Sequence, residues 1–274
     1  MTGVSRLAKP MNILSKHETR RRLLRGLPDS DTLHLRLGQW FQSPQGSEVW
    51  RIEQEHAEPI ISRLFGYHIL QIGCHEDYSL IENSPAGHKI LFSPTWRGGE
   101  QQAVADNEEL PLANDSMDVV LLHHALDFTD DNHRLLREAT RVLRPGGQML
   151  IIGFNPMSYW GLWRVFKRRS TIPWRARFIS RRRLTDWLQL LDLDIKRVSY
   201  SLHFSPLKFA QLLKYAGRFE KLGARMASPF GGAYFVLCVK QVATITPIVP
   251  RWQAIPSRAS VIPAAENVRA KKFH

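Results

Sequence analysis

A chain of 274 residues with a hydrophobic share of 43% carries enough apolar material for one large or two small packed domains. Its two cysteines, Cys74 and Cys238, lie far apart with no Cys-x-x-Cys spacing, which argues against a disulfide framework or a structural zinc site and for a reducing, cytoplasmic setting. The net charge of +13 is uneven: nine cations and no acid lie between Arg164 and Arg183, and both ends are also basic, so the remainder is acidic on balance and the basic parts suit an anionic partner. No apolar run reaches the roughly 20 residues of a membrane span, and the N-terminal arginines lack the apolar stretch of a secretory signal.

In chain order, residues 1–33 read as a basic, disordered extension. Leu35–Phe41 is a short apolar element. Val49–Phe65 follows Ser47 as a helix, with Ile52, Ile60, Leu64 and Phe65 on an inward stripe and a bend or break at Pro59. Tyr67–Gly73 and Lys89–Phe92 have the short apolar content of buried strands, and Val119–His123 is a nearly continuous apolar run, as in a parallel strand covered on both faces. Asp130–Leu143 is the clearest helix: Leu135, Leu136, Ala139, Val142 and Leu143 share a face, the aspartates suit its start, and Pro145-Gly146-Gly147 stops it. Met149–Phe154 returns as a strand. Strand, helix and strand at these separations imply right-handed crossovers and a parallel sheet.

Beyond Asn155 the pattern changes. Residues 157–183 form a basic, aromatic insertion, helical in part. Leu184–Leu191 reads as a helix, Leu193–Leu202 as a strand, Lys208–Met226 as a further helical stretch and Ala233–Lys240 as the last strand. Residues 241–274 contain four prolines and little to bury, the composition of a disordered basic tail. The organisation is thus an extension (1–33), a folded domain (34–240) and a tail (241–274).

Four landmarks carry a resemblance: Asp106, the Leu110-Pro111-Leu112 step, the strand start Met117-Asp118-Val119-Val120 and the turn Arg144-Pro145-Gly146-Gly147. Together they resemble the class I S-adenosylmethionine-dependent methyltransferases, in the branch called methyltransferase type 11. The resemblance is closest to a bacterial subgroup with an altered glycine loop that shares the Leu135–Ala139 and Gly153–Pro156 sequences. It implies a Rossmann-like α/β fold: a mostly parallel twisted sheet, helices on both faces and a C-terminal antiparallel hairpin. It also implies S-adenosylmethionine as cofactor, held by Ile72, Gly73 and Cys74 at the first loop, by Asp106 and Asn107 at the adenine, and by His123 at the end of the central strand.

Departures stand beside these matches. His75 and Asp77 replace the second and third glycines of the first loop, where side chains would crowd a close-approaching ligand. Gln71 replaces an acid, and Leu91 stands where the family carries the ribose-binding carboxylate. Glu100 is a stand-in only by its nearness in sequence. These changes point to weakened or lost cofactor binding.

His123 and His124 are candidates for a general base or for packed polar groups. Methyl transfer itself needs chiefly an aligned nucleophile, and no catalytic dyad, triad, P-loop or metal cluster stands out.

Two functions follow as expectations: methyl transfer to an undetermined acceptor, or a catalytically inactive methyltransferase-fold module that binds nucleic acid or another polyanion. Trp160, Trp163 and Phe166, interleaved with cations, allow three readings. They could face lipid on a membrane-surface helix, stack on RNA bases, or form a core face with a basic edge.

Overall fold

The computed structural model describes residues 30–73, 75, 77–93, 103–104, 109–129, 131–166, 173–203 and 228–242. The expectations for residues 1–29, for Lys208–Met226 and for the tail from 243 lie outside these. Two helices come first, α1 (Ser30–Phe41) and α2 (Pro44–Ile61). The second begins earlier than the Ser47 signal suggests, because Ser43 is the cap: its hydroxyl accepts from the Gly46 amide at 3.2 Å, and Pro44 occupies the first turn. Proline there gives up an amide that has no helical partner anyway. Pro59 does not divide the helix, which runs on to Ile61. Phe65, expected inward, is exposed.

The sheet comprises β1 (His68–Gly73), β2 (His88–Ser93), β3 (Ala103–Val104), β4 (Met117–His123), β5 (Leu143–Phe154), β6 (Leu193–Ser201) and β7 (Ala233–Lys240). Its order is β3-β2-β1-β4-β5-β7-β6. The first five strands are parallel, and β7 inserts antiparallel between β5 and β6. This is the mostly parallel α/β sheet with a C-terminal antiparallel pair that the sequence implies. Short helices α3 (Ala125–Phe128) and α5 (Tyr159–Phe166) follow β4 and β5, while α4 (Asn132–Val142) and α6 (Arg181–Gln189) complete the described set.

α4 shows why its sequence folds as it does. The Asp131 side chain accepts from the amides of His133 and Arg134, relieving two orphan donors at the helix start. Leu135, Leu136, Ala139 and Val142 are all fully buried. The Pro-Gly-Gly turn forms a bulge in the β4–β5 pairing, with Gly146 at φ +77°, where a side chain would be strained. Asp118, in the resembled Asp-Val-Val step, serves the architecture. Its carboxylate accepts from the amides of Tyr67 and His68 at 2.6 and 2.8 Å and pairs with Arg144, fixing the start of β1 against β4.

Two cores sandwich the sheet. One is mostly aliphatic, built by α4 and α6 on Leu70, Ile72, Val120, Leu122 and Ile151, with Phe92 and Tyr234 among them. The other, under α1, α2 and α5, adds aromatics such as Phe41, Phe154, Trp160 and Trp174 to the opposite side chains of the same strands. Trp160 lies in this core against Phe154 and Trp174, with Gly232 leaving space for its indole. The expectation that it faces lipid or RNA is thereby corrected.

Candidate cofactor and active site

In an open parallel sheet, ligands bind where the loops diverge at the carboxyl ends of the strands. Here Gly73 ends β1 directly opposite His123, which ends β4. Ile72 is buried in the aliphatic core and supports the backbone at that point. Cys74, Asp106, Asn107 and Glu100, the other residues of interest, lie outside the described residues.

The loop after Gly73 resolves the apparent obstruction. His75 does not project into the strand-end space: it is 2% exposed and its ring packs edge-on to Tyr78 at 5.5 Å. It lies so close to Gly38 of α1 that a Cβ there would collide with the imidazole. Asp77 points outward and is exposed, its amide donating to His75 Nδ1 at 3.2 Å. A Cβ on Gly73 itself would meet nothing nearer than 3.4 Å. Among the described residues a side chain at this position would therefore make ordinary contacts, so their packing alone does not demand glycine.

Gln71 accounts for the missing acid. Its Nε2 donates to the Tyr78 carbonyl at 2.7 Å and its Oε1 accepts from the Leu80 amide at 2.8 Å. A carboxylate could accept but not donate, so the amide suits a loop that offers one group of each kind. On the other side, Glu138 accepts from the Leu110 amide at 3.1 Å. Arg141 donates to the carbonyls of Leu110 and Leu112 at 3.0 and 2.9 Å, which ties the Leu-Pro-Leu step to α4. The Arg141 hydrogen bond holds the Glu138 carboxyl below its ordinary range. At the end of β2, no described residue supplies the family's ribose carboxylate.

The two histidines belong to a dry charge network. Successive side chains of a strand face opposite sides, but His124 has left the strand with φ +51°, and both rings reach Glu53 of α2. Glu53 Oε2 meets His123 Nε2 at 3.0 Å, and Oε1 meets His124 Nε2 at 2.8 Å. His124 Nδ1 then meets Asp127 Oδ2 at 2.7 Å, and that oxygen also accepts from the Phe154 amide at 2.9 Å. All four side chains are fully buried.

Burial opposes each charge, yet the charge of His124 and the two imidazole hydrogen bonds hold Glu53 down at about 2. Burial likewise opposes the imidazolium, but Glu53 and Asp127 raise His124 to about 10. Burial lowers His123, despite its bond to Glu53, and raises Asp127, despite its bond to His124. His123 is thus neutral, donating from Nε2, and its Nδ1 has no hydrogen-bond partner among the described residues.

Glu53, His123 and His124 also bring three donor atoms within 4.8 Å of one another. Those atoms are already hydrogen-bonded at 2.8 and 3.0 Å, closer than the roughly 3.3 Å that tetrahedral bonds to zinc would set between ligands. The geometry is that of a carboxylate bridging two imidazoles. Both histidines, candidates for a base or for packed polar groups, are packed and paired in the fold. Glu53 escaped the sequence reading because its partners lie 70 and 71 residues away; an acid on an otherwise apolar helix stripe was the only signal.

A methyltransferase-domain family model matches residues 83–151. YafS, an uncharacterized protein of Escherichia coli, is 35% identical over 161 residues, covering 58% of this chain and 66% of that protein. A malonyl-[acyl-carrier protein] O-methyltransferase of Dechloromonas aromatica is 30% identical over 158 residues, 52% of this chain and 58% of that enzyme. The chain thus spans less than two thirds of the length of either relative. In fold it is similar to a methyltransferase from Thermotoga maritima, with TM-score 0.57 and 20% identity, covering 74% of this chain and 94% of that one. The matched domain and the likeness in fold both support the class I S-adenosylmethionine-dependent methyltransferase family.

Proposed function

We propose that this protein transfers a methyl group from S-adenosylmethionine to an acceptor that the site positions but does not deprotonate. The observation that carries this reading is the turn of His75 beneath α1, so that the side chain standing for the loop's second glycine packs against Gly38 and Tyr78. When bound, the cofactor supplies an activated methyl sulfonium. Gln71 and His75 hold the first loop in shape, Gly73 admits a close backbone approach, and Arg141 with Glu138 anchors the segment that follows Asp106. Asp106 and Asn107 would take the adenine, as the resemblance implies.

His124 offers no base in this arrangement, being an imidazolium between two carboxylates, and the lone pair of the neutral His123 sits on a fully buried Nδ1 whose basicity burial lowers. An acceptor already nucleophilic at neutral pH fits such a site, where alignment supplies most of the rate. Among the described residues no helix is long and apolar enough to cross a membrane.

Thermal unfolding in the presence of S-adenosylhomocysteine tests the reading. A ligand at 100 times its Kd stabilises the fold by about 2.7 kcal/mol, so the midpoint should rise in the wild type and much less in Asp106→Ala. No rise at millimolar ligand would sink the proposal.

A further inference from the structure

The aromatic insertion has a second face. With Trp160 in the core, the opposite side of α5 presents Tyr159 (66% exposed), Leu162 (58%) and Val165 (77%), three positions spaced along one helical face. Met157 (71%) precedes the helix. Phe230 (57%) stands on the turn that Asn155 holds through the carbonyls of Pro229 and Gly231, both at 2.9 Å. Five large apolar side chains thus lie exposed around the carboxyl ends of β5 and α5, although the core beneath could have been closed with polar residues outside. Clustered exposure of this kind marks an interaction surface.

The sequence that follows α5 is basic. Arg164 is turned inward, donating to the Trp174 carbonyl at 3.1 Å with its guanidinium over Phe178. That contact brings the chain leading to α6 alongside α5. The sequence directly after the helix is Lys167-Arg168-Arg169. α6 opens with Arg181, Arg182 and Arg183, all exposed, and no acid lies in its first turn. Arg183 lies over the Trp187 ring at 5.7 Å, but cations at a helix N-terminus run against the helix dipole, and for the exposed Arg181 and Arg182 an external anion supplies a reason.

We propose that this face docks on an anionic lipid bilayer, with Leu162 and Val165 entering the boundary between head groups and acyl chains and the arginines meeting the head groups. An amphipathic helix with aliphatic residues on one side and cations beside them is the chemistry of interfacial binding. Base stacking uses exposed flat rings. Of the aromatics here, Trp160 and Trp174 are buried and Phe178 is covered by Arg164. Beside the exposed Tyr159 and Phe230, the face of α5 is the aliphatic Leu162 and Val165, which offer no stacking platform. Docking in this orientation would turn the carboxyl ends of the strands toward the lipid, so that an amphiphilic acceptor could reach them.

Co-sedimentation of the full chain with vesicles tests this directly. Vesicles of equal parts phosphatidylglycerol and phosphatidylcholine should pellet the protein, and phosphatidylcholine alone should not. Added salt should weaken the binding without abolishing it, because the apolar insertion is not screened. Leu162→Glu with Val165→Glu should lower the bound fraction about tenfold while the circular dichroism spectrum stays that of the wild type. The proposal is overturned if wild-type protein stays in solution with the anionic vesicles at low salt. It is equally overturned if the double variant pellets as well as the wild type, or if single-stranded RNA displaces the vesicles while binding both proteins alike.

Discussion

The two faces of the sheet are closed by different chemistries. Under α4 and α6 the contacts are mostly aliphatic, leucine upon valine and isoleucine with Phe92 and Tyr234 among them, and the register of the two amphipathic helices sets them. Under α1 and α2 the same strands meet aromatic rings and four fully buried ionisable groups, and Glu53 ties two elements far apart in sequence. The difference teaches where specificity resides. The aliphatic face would tolerate repacking that kept its volume, whereas the charged face leaves each group dependent on its partners.

The sharpest way to break that comparison is Glu53→Ala. It strips His123 and His124 of their common acceptor and should cost about 3–5 kcal/mol, the range for a buried ion pair broken from one side; urea denaturation reads it. Leu136→Ala on the aliphatic face should cost about 2–5 kcal/mol by cavity formation, and its loss should be the same at every pH.

The pH dependence separates the faces further. His124 sits at about 10 against an ordinary 6.5, so its contribution is complete below 6.5 and is lost as pH climbs through 10. Glu53 sits at about 2 against an ordinary 4.5, so its contribution is complete above 4.5 and is lost as pH falls toward 2. The lowered His123 adds to the acid side, since its contribution is complete only above 6.5. The raised Asp127 works in the opposite sense to Glu53, its contribution being complete below 3.8 and lost as pH rises above it. Denaturation midpoints should fall in both directions, and Glu53→Gln should flatten both limbs; an unchanged profile in that variant would contradict the network. The smallest effect belongs to Arg51→Ala. That exposed side chain pairs with Glu48 and Glu55 on the outer surface of α2, and its loss should cost no more than about 1 kcal/mol.

The same contrast governs what could be read from the sequence. α4 was legible because its burial is periodic in one short segment, and β7 because eight apolar-rich residues between glycines and a polar step allow little else. The start of α2 was misplaced because Ser47-Glu48 imitates a cap that Ser43-Pro44 supplies. β3, with two residues, has no pattern to read. At the site, the substituted loop was visible as a loss of glycines. The direction of the His75 ring was not, since it depends on Gly38, a glycine in a helix that no local rule connects to the loop. Likewise His123 and His124 could be singled out by position, but the charge each carries depends on Glu53 across the fold.

Calorimetric titration with S-adenosylmethionine and S-adenosylhomocysteine tests the central claim, that the loop after β1 accepts the methyl donor because His75 is folded away from it. Wild-type protein should bind at micromolar strength, and His75→Gly, which restores the family glycine, should bind no tighter. Absence of heat at millimolar ligand, or binding that appears only in His75→Gly, would contradict it.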